Sequence, residues 1–247
     1  MIRFDGRGIV VDVEGTTSAL AFVHNVLFPY ARRHLDAFLR DRWDAPEIAA
    51  ARDLIARDAG ADAFAEWCGG DPSSAGARDR LRAEVLRLMD ADAKFTGLKR
   101  LQGLIWEEGY RAGLLRSHVF PDVPPALAAW SAAGLDVRVF SSGSVAAQRL
   151  FFAHTEAGDL SAAFRGHYDT TLGPKREPAS YAAIAADMRL APAEVLFLSD
   201  VAAELDAARA AGLATALVVR PGNAPSSPGP HPVITCFDQV APALAAA

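Results

Sequence analysis

Asp12 and Glu14 stand two residues apart in Val10-Val11-Asp12-Val13-Glu14-Gly15-Thr16-Thr17, behind a short apolar run that reads as a strand. In extended backbone, residues two apart share a face, so the two carboxylates are expected to converge while Val13 turns to the packing side. Gly15 lets the chain leave the strand sharply, with backbone N–H groups free for an anion. A plain strand-to-loop turn with two solvated acids would look the same in isolation.

Three further stretches carry compatible chemistry. Phe140-Ser141-Ser142-Gly143-Ser144 ends a second apolar run and precedes a helical pattern, so Ser141 and Ser142 are candidates for holding a phosphate at a helix start, against the alternative of an ordinary capped helix. Lys175, in the turn Leu172-Gly173-Pro174-Lys175-Arg176-Glu177-Pro178, could neutralise a phosphate and a nucleophilic carboxylate. Asp200 closes the run Leu196-Phe197-Leu198-Ser199 and joins Asp12 at the same sheet edge. Two carboxylates there suit Mg²⁺, which takes oxygen ligands from one or two acids, water and substrate phosphate. Glu204, one turn further on, either holds a metal-bound water, orients Lys175, or is a simple acid of a helix's first turn.

The elements that must position these residues follow from hydrophobic pattern. Continuous apolar runs at Gly8–Val13, Asp136–Ser141, Val195–Asp200, Ala214–Arg220 and Val233–Phe237, with a weaker one at Gly166–Thr170, predict strands buried on both faces. Helical segments at Val123–Ala133, Ser144–Ala153, Ser180–Arg189 and Val201–Ala211 alternate with them, which predicts an α/β core with a doubly wound parallel sheet. Residues 18–118 break the rhythm and read as an inserted helical lobe. Leu81, Val85, Leu88 and Met89, and then Leu98, Leu101 and Ile105, form apolar stripes at helical spacing. The core is accordingly expected to comprise 1–17 and 119–247. Gly69–Ser74 reads as a turn between helices, and Pro221–Pro232 as a surface loop.

Composition narrows the partners. The chain has 247 residues, 51% hydrophobic and 22% charged, enough apolar material for a packed core. Its net charge of −5 gives no electrostatic case for nucleic acid or an anionic membrane, so a small substrate is expected. Cys68 and Cys236 lie far apart and outside any metal-spaced cluster, as expected of reduced packing residues. With no signal-like or membrane-length apolar stretch, the expectation is a cytoplasmic monomer. His24, His118, His154 and His167 are scattered without metal spacing, and Phe22, Trp106 and Tyr110 fit aromatic packing better than an apolar substrate slot.

Aspartate, Ser-Gly-Ser, lysine and aspartate, in that order and each beside a core strand, resemble the four motifs of the haloacid dehalogenase superfamily, whose cap occupies the place of the helical insertion. More closely, Asp-Val-Glu-Gly-Thr-Thr, Phe28-Pro29-Tyr30-Ala31, Leu101-Gln102-Gly103-Leu104-Ile105-Trp106, Phe120-Pro121-Asp122-Val123, Ser141-Ser142-Gly143-Ser144-Val145-Ala146-Ala147-Gln148 and Gly166-His167-Tyr168-Asp169-Thr170 resemble the enolase-phosphatases of methionine salvage. The resemblance covers nearly the whole chain. Glu14 stands where most superfamily phosphatases have aspartate, and Thr155–Asp159 is one residue longer than the family's usual loop.

Residue chemistry alone reaches phosphate-ester hydrolysis through a carboxylate nucleophile. The resemblance implies more: enolisation and dephosphorylation of 2,3-diketo-5-methylthiopentyl 1-phosphate to the acireductone. It implies Asp12 as nucleophile, Mg²⁺ on Asp12 and Asp200 with the Glu14 carbonyl, Glu14 as proton donor and later base, and Lys175 with Ser141 and Ser142 on the phosphate. The competing expectations are a capped phosphatase for another small ester and a phosphate-responsive binding module. The long insertion and Glu14 speak against the module.

Overall fold

The computed structural model describes residues 1–224 and 227–242; residues 225 and 226 of the expected surface loop lie outside the described residues. In chain order, strands β1 (Ile2–Phe4) and β2 (Gly8–Val11) lead to a short helix α1 (Leu20–Phe22) and a π-helical turn at Val23–Leu27. Five helices follow: α2 (Phe28–Arg42), α3 (Pro46–Asp58), α4 (Phe64–Cys68), α5 (Ala75–Asp90) and α6 (Thr96–Arg111). Then come α7 (Val123–Ala132), β3 (Asp136–Phe140), α8 (Val145–Ala153), β4 (Gly166–Tyr168), α9 (Pro178–Asp187), β5 (Val195–Ser199), α10 (Ala202–Ala210), β6 (Ala214–Val218), β7 (Val233–Ile234) and β8 (Val240–Pro242). The chain divides into two compact units, Met1–Val23 with Arg116–Ala247, and His24–Leu115.

In the first unit, six strands form a parallel sheet in the order β4-β3-β2-β5-β6-β7. The earliest of them, β2, is central, and all four of its residues are buried. Alternation divides its side chains. Val10 joins a cluster with Phe140, Tyr181, Ile184, Phe197 and Leu205, while Ile9 and Val11 are fully buried on the opposite side. Strands covered on both faces explain the unbroken apolar runs in the sequence. The parallel pair β1–β8 forms a second, two-stranded sheet that periodicity did not predict, because three-residue strands are too short to display a period.

The helical unit buries the stripes expected of it: Leu81, Val85 and Leu88 on α5, and Leu98, Leu101 and Ile105 on α6, with Met89 only half-buried. Gly97 lets α6 approach α3, since a Cβ there would fall 2.5 Å from the Ile55 nitrogen. Trp106 donates its indole N–H to the Leu27 carbonyl (2.8 Å) and stacks on Phe28, so it is committed to packing.

Candidate active site

Strand β2 ends at Val11, two residues earlier than the apolar pattern implies. Asp12 still donates its N–H to the Leu198 carbonyl (2.9 Å), but from Val13 onward the chain curls. The Val13 carbonyl accepts N–H groups from Thr16, Thr17 and Ser18, and also the Thr17 hydroxyl. Asp12 and Glu14 therefore do not share a strand face as extended spacing would have it; they project from a loop beyond the sheet's carboxyl edge. Gly15 sits in that loop at φ +72°, and a Cβ on it would fall 2.2 Å from Oδ2 of Asp200. A bare backbone is thus required both by conformation and by the approach of the second acid. The buried Thr16 hydroxyl accepts the Asp200 N–H (3.1 Å) and ties the two loops together.

Lys175 lies at the centre of the acidic cluster. Its Nζ is 2.7 Å from Oδ1 of Asp12 and 2.6 Å from Oε2 of Glu204, with all three side chains largely buried. Tyr181 donates its hydroxyl to the Lys175 carbonyl (2.6 Å), and Ser180 donates to the Pro174 carbonyl (2.8 Å), so the start of α9 fixes the lysine loop. Ser199 donates to Glu204 (3.1 Å) and orients it toward the ammonium. This geometry fits the alternative in which Glu204 orients Lys175.

Charge balance explains the titration of the cluster. Burial alone would lower the Lys175 pKa, but Asp12 and Glu204 outweigh it and hold the ammonium charged above its ordinary range. One cation serves two anions, and Glu204 is left under-neutralised. Burial, then the charge of Asp12, pushes it up to about 7 against the pull of Lys175. Asp200 rises to about 6, first from burial and then from Asp12, with Glu14 adding to the effect. Glu14 thus lies within electrostatic reach of Asp200 despite leaving the strand early.

The donor set fits a hard divalent cation. Asp12 and Asp200 are oxygen donors whose mutual repulsion a cation would relieve, and Gly15 leaves Asp200 room beside the Glu14 backbone. Among the described residues, no three His, Cys, Asp or Glu side chains form a cage of their own. The histidines serve elsewhere. His118 Nδ1 accepts the Ala19 N–H, His154 Nδ1 is 3.0 Å from the Leu150 carbonyl, and His24 packs edge-on to Phe28.

The serine turn after β3 is built as a strand-to-helix cap. Ser144 accepts the Ala147 N–H and Asp169 accepts that of Val145, which secures the start of α8. Ser141 is buried; its hydroxyl accepts the Gly143 N–H (3.2 Å), and its own proton has no acceptor among the described residues. Ser142 is exposed. Residues that pattern reading missed hold the opposite flank. The Arg220 guanidinium donates to the Thr16 carbonyl (2.9 Å) while paired in two bonds with Asp122, and Asn223 donates to the Gly15 carbonyl (2.9 Å). An arginine closing an apolar strand was the one available signal, since a cation is rarely placed there without a buried partner.

Comparisons with known proteins agree with this architecture. The sequence model of haloacid dehalogenase-like hydrolases matches residues 7–212. Enolase-phosphatase E1 of Sorangium cellulosum is 46% identical over 98% of this chain and 100% of its own length. Enolase-phosphatase E1 of Methylococcus capsulatus is 49% identical over 96% of this chain and 99% of its own. The crystal structure of the UTR4 protein of Saccharomyces cerevisiae superimposes with a TM-score of 0.77 at 31% identity, covering 95% of this chain and all of that one. This chain therefore belongs to the enolase-phosphatase E1 family of the haloacid dehalogenase-like hydrolases.

Proposed function

We propose that the protein converts 2,3-diketo-5-methylthiopentyl 1-phosphate to the acireductone 1,2-dihydroxy-3-keto-5-methylthiopentene and phosphate, as the enolase-phosphatase of methionine salvage, with Mg²⁺ as its metal. The observation that carries the reading is the Asp12–Lys175–Glu204 cluster beside Asp200, in a chain matched nearly end to end by enolase-phosphatases. Mg²⁺, held by Asp12, Asp200 and the Glu14 carbonyl, would supply neutralising charge at the phosphoryl oxygens.

The protein's own residues account for the rest of the dephosphorylation. A carboxylate oxygen of Asp12 attacks phosphorus, the phosphorus–oxygen bond to the substrate carbon breaks, and Glu14 gives its proton to the departing oxygen. Glu14, now ionised, takes a proton from water as that water attacks the aspartyl-phosphate, which restores Asp12 and frees phosphate. Lys175 holds Asp12 in place and offsets the charge of the phosphoryl group. Ser141 and Ser142 bind its oxygens. The small phosphorylated diketone is the only partner in this reading, which includes neither nucleic acid nor membrane and places the enzyme as a monomer in the cytoplasm. In support, the net charge is −5, and among the described residues no helix is long and apolar enough to cross a membrane.

The test is a screen of phosphate esters with Mg²⁺ that follows phosphate release together with the ultraviolet absorbance of the enolised diketone. Both signals should arise from the diketone phosphate, and Asp12→Asn should abolish phosphate release while the circular dichroism spectrum stays native. Near-normal turnover by that variant would remove Asp12 as the nucleophile.

A further inference from the structure

Gln148, on α8, reaches back under the serine turn with its side-chain amide. Its Nε2 donates to the Gly143 carbonyl (2.7 Å) and to the Tyr168 carbonyl (2.8 Å), and the side chain is nearly fully buried. The Tyr168 carbonyl also accepts the Ser141 N–H (3.1 Å), so one amide anchors both ends of Ser141-Ser142-Gly143. The amide's own orientation is set from behind: its Oε1 lies 3.2 Å from Nδ1 of His167. With both Nε2 protons committed to carbonyls, Oε1 can only accept, which makes Nδ1 the protonated nitrogen of His167. Burial, reinforced by the charge of Arg149, holds the His167 pKa near 4, so the ring stays neutral and this tautomer persists through the physiological range.

The direction of the Gly143 carbonyl has a consequence for the next amide. The peptide bonds are trans, so drawing this carbonyl onto Gln148 turns the Ser144 N–H the opposite way. That N–H has no acceptor among the described residues, whereas those of Gly143, Val145 and Ala147 are bonded within the turn and cap. Gln148 grips the turn from the β4 side, and β3 separates β4 from β2, the strand that leads into Asp12. Gly143 has no side chain to resist rotation of this peptide plane, and no atom other than the Ser141 hydroxyl lies near where its Cβ would stand.

We propose that Gln148 is a positioning residue: it locks the Gly143–Ser144 peptide so that the Ser144 N–H faces Asp12 as a donor to the substrate's phosphoryl group. The inference rests on the phosphatase reading, because it names the group this donor would meet. Without Gln148 the peptide is free to rotate, and the carbonyl oxygen would then face the anion in place of the N–H.

The experiment compares the wild type with Gln148→Glu and Gln148→Met at saturating Mg²⁺. The probes are the diketone phosphate, a simple aryl phosphate, and inorganic phosphate as product inhibitor. Phosphate release by the wild type tests the underlying reading by itself. Given that release, both variants should weaken inhibition by phosphate about tenfold or more, the scale of one hydrogen bond to a charged oxygen. KM should rise in parallel for both esters. In the amide NMR spectrum, the Ser144 proton of the wild type should move downfield on addition of phosphate, and in Gln148→Glu it should not. His167→Phe, which frees the amide without touching the turn, should give a smaller loss in the same direction and covers the case of a Gln148 variant that fails to fold. Unchanged phosphate inhibition in folded variants, or a wild-type Ser144 amide that ignores phosphate, would overturn the proposal.

Discussion

Glu204 and Asp12 compete for one cation, with Oε2 of the first 2.6 Å and Oδ1 of the second 2.7 Å from the Lys175 ammonium. Glu204 steers the lysine without belonging to the loop that carries it, so its substitution should tune activity, while loss of the lysine should remove it. Lys175→Met is expected to lower kcat by about 10²–10³-fold, as for removal of a charged group aimed at the reacting centre. Glu204→Gln keeps contact with Ser199 and Lys175 and should cost about 10–100-fold, the range for partners that orient a functional group. Steady-state kinetics on purified variants would check both, and equal losses would mean that Glu204 does more than orient.

Glu14 should separate the two chemical steps. Proton donation to the ester oxygen belongs to dephosphorylation, whereas enolisation needs a base at carbon and a cation near the carbonyl oxygen. Glu14→Gln should therefore slow phosphate release by about 10²–10⁴-fold and allow the enol-phosphate to accumulate. Stopped-flow absorbance with phosphorus NMR would follow this. If enol formation stopped as completely as phosphate release, Glu14 would have to serve both steps.

Metal and proton should compete at the sheet edge. The pKa values of Asp200 and Glu204 stand at about 6 and about 7, above their ordinary values of 3.8 and 4.5. The folded, metal-free protein thus holds protons that the unfolded chain has released. Their contribution to stability is full below about pH 4 and is lost as pH rises through about 6 to 7. Mg²⁺ should raise Tm more at high pH than at low pH, and chelation should abolish turnover until Mg²⁺ is restored. Calorimetry with and without Mg²⁺ from acid to neutral pH would measure this. Asp200→Ala should abolish most of the Mg²⁺-induced shift, and a shift independent of pH would contradict the assignment.

Arg220 is a stability prediction in a structural position. Its guanidinium is buried against Asp122, the Thr16 carbonyl and the Thr235 carbonyl, between the rings of Phe120 and Phe237. Arg220→Met would strand Asp122 and should destabilise the fold by about 3–5 kcal/mol, the cost of removing one partner of a buried ion pair. Denaturant titration reads this directly, and Asp122→Asn should be milder, because its amide still accepts from the guanidinium.

The parts legible in the sequence were those with a period or a chemical type. Buried parallel strands give apolar runs, so the sheet from Gly8 to Ile234 and its alternating helices could be read. Asp12, Lys175 and Asp200 could be read as acids and a base next to strand ends, and the structure brings these three into one cluster with Glu204. The hydrogen bonds that hold them could not. Thr16 binds the backbone of Asp200 across 184 positions, and Asn223 binds Gly15 across 208. Such contacts leave no local trace, because a threonine or asparagine in a loop has the same composition whether it braces a site or faces water. The curl at Val13 escaped for a related reason: β-branched residues suggest strand, and only the bonds gathered on the Val13 carbonyl override them.

The pairing of β2 with β3 and β5 has a consequence for synthesis on the ribosome. Gly8–Val11 is made well before its sheet neighbours, the first of which begins at Asp136, roughly 125 residues later. At about 5–20 residues per second, this apolar segment waits about 6–25 s with both edges open. The insertion that His24–Leu115 represents therefore sets a time as well as a topology, and lengthening it would prolong the interval in which a nascent chain can pair its central strand with a stranger. The β1–β8 contact lengthens that interval further, since Ile2 pairs with Val240, about 238 positions on.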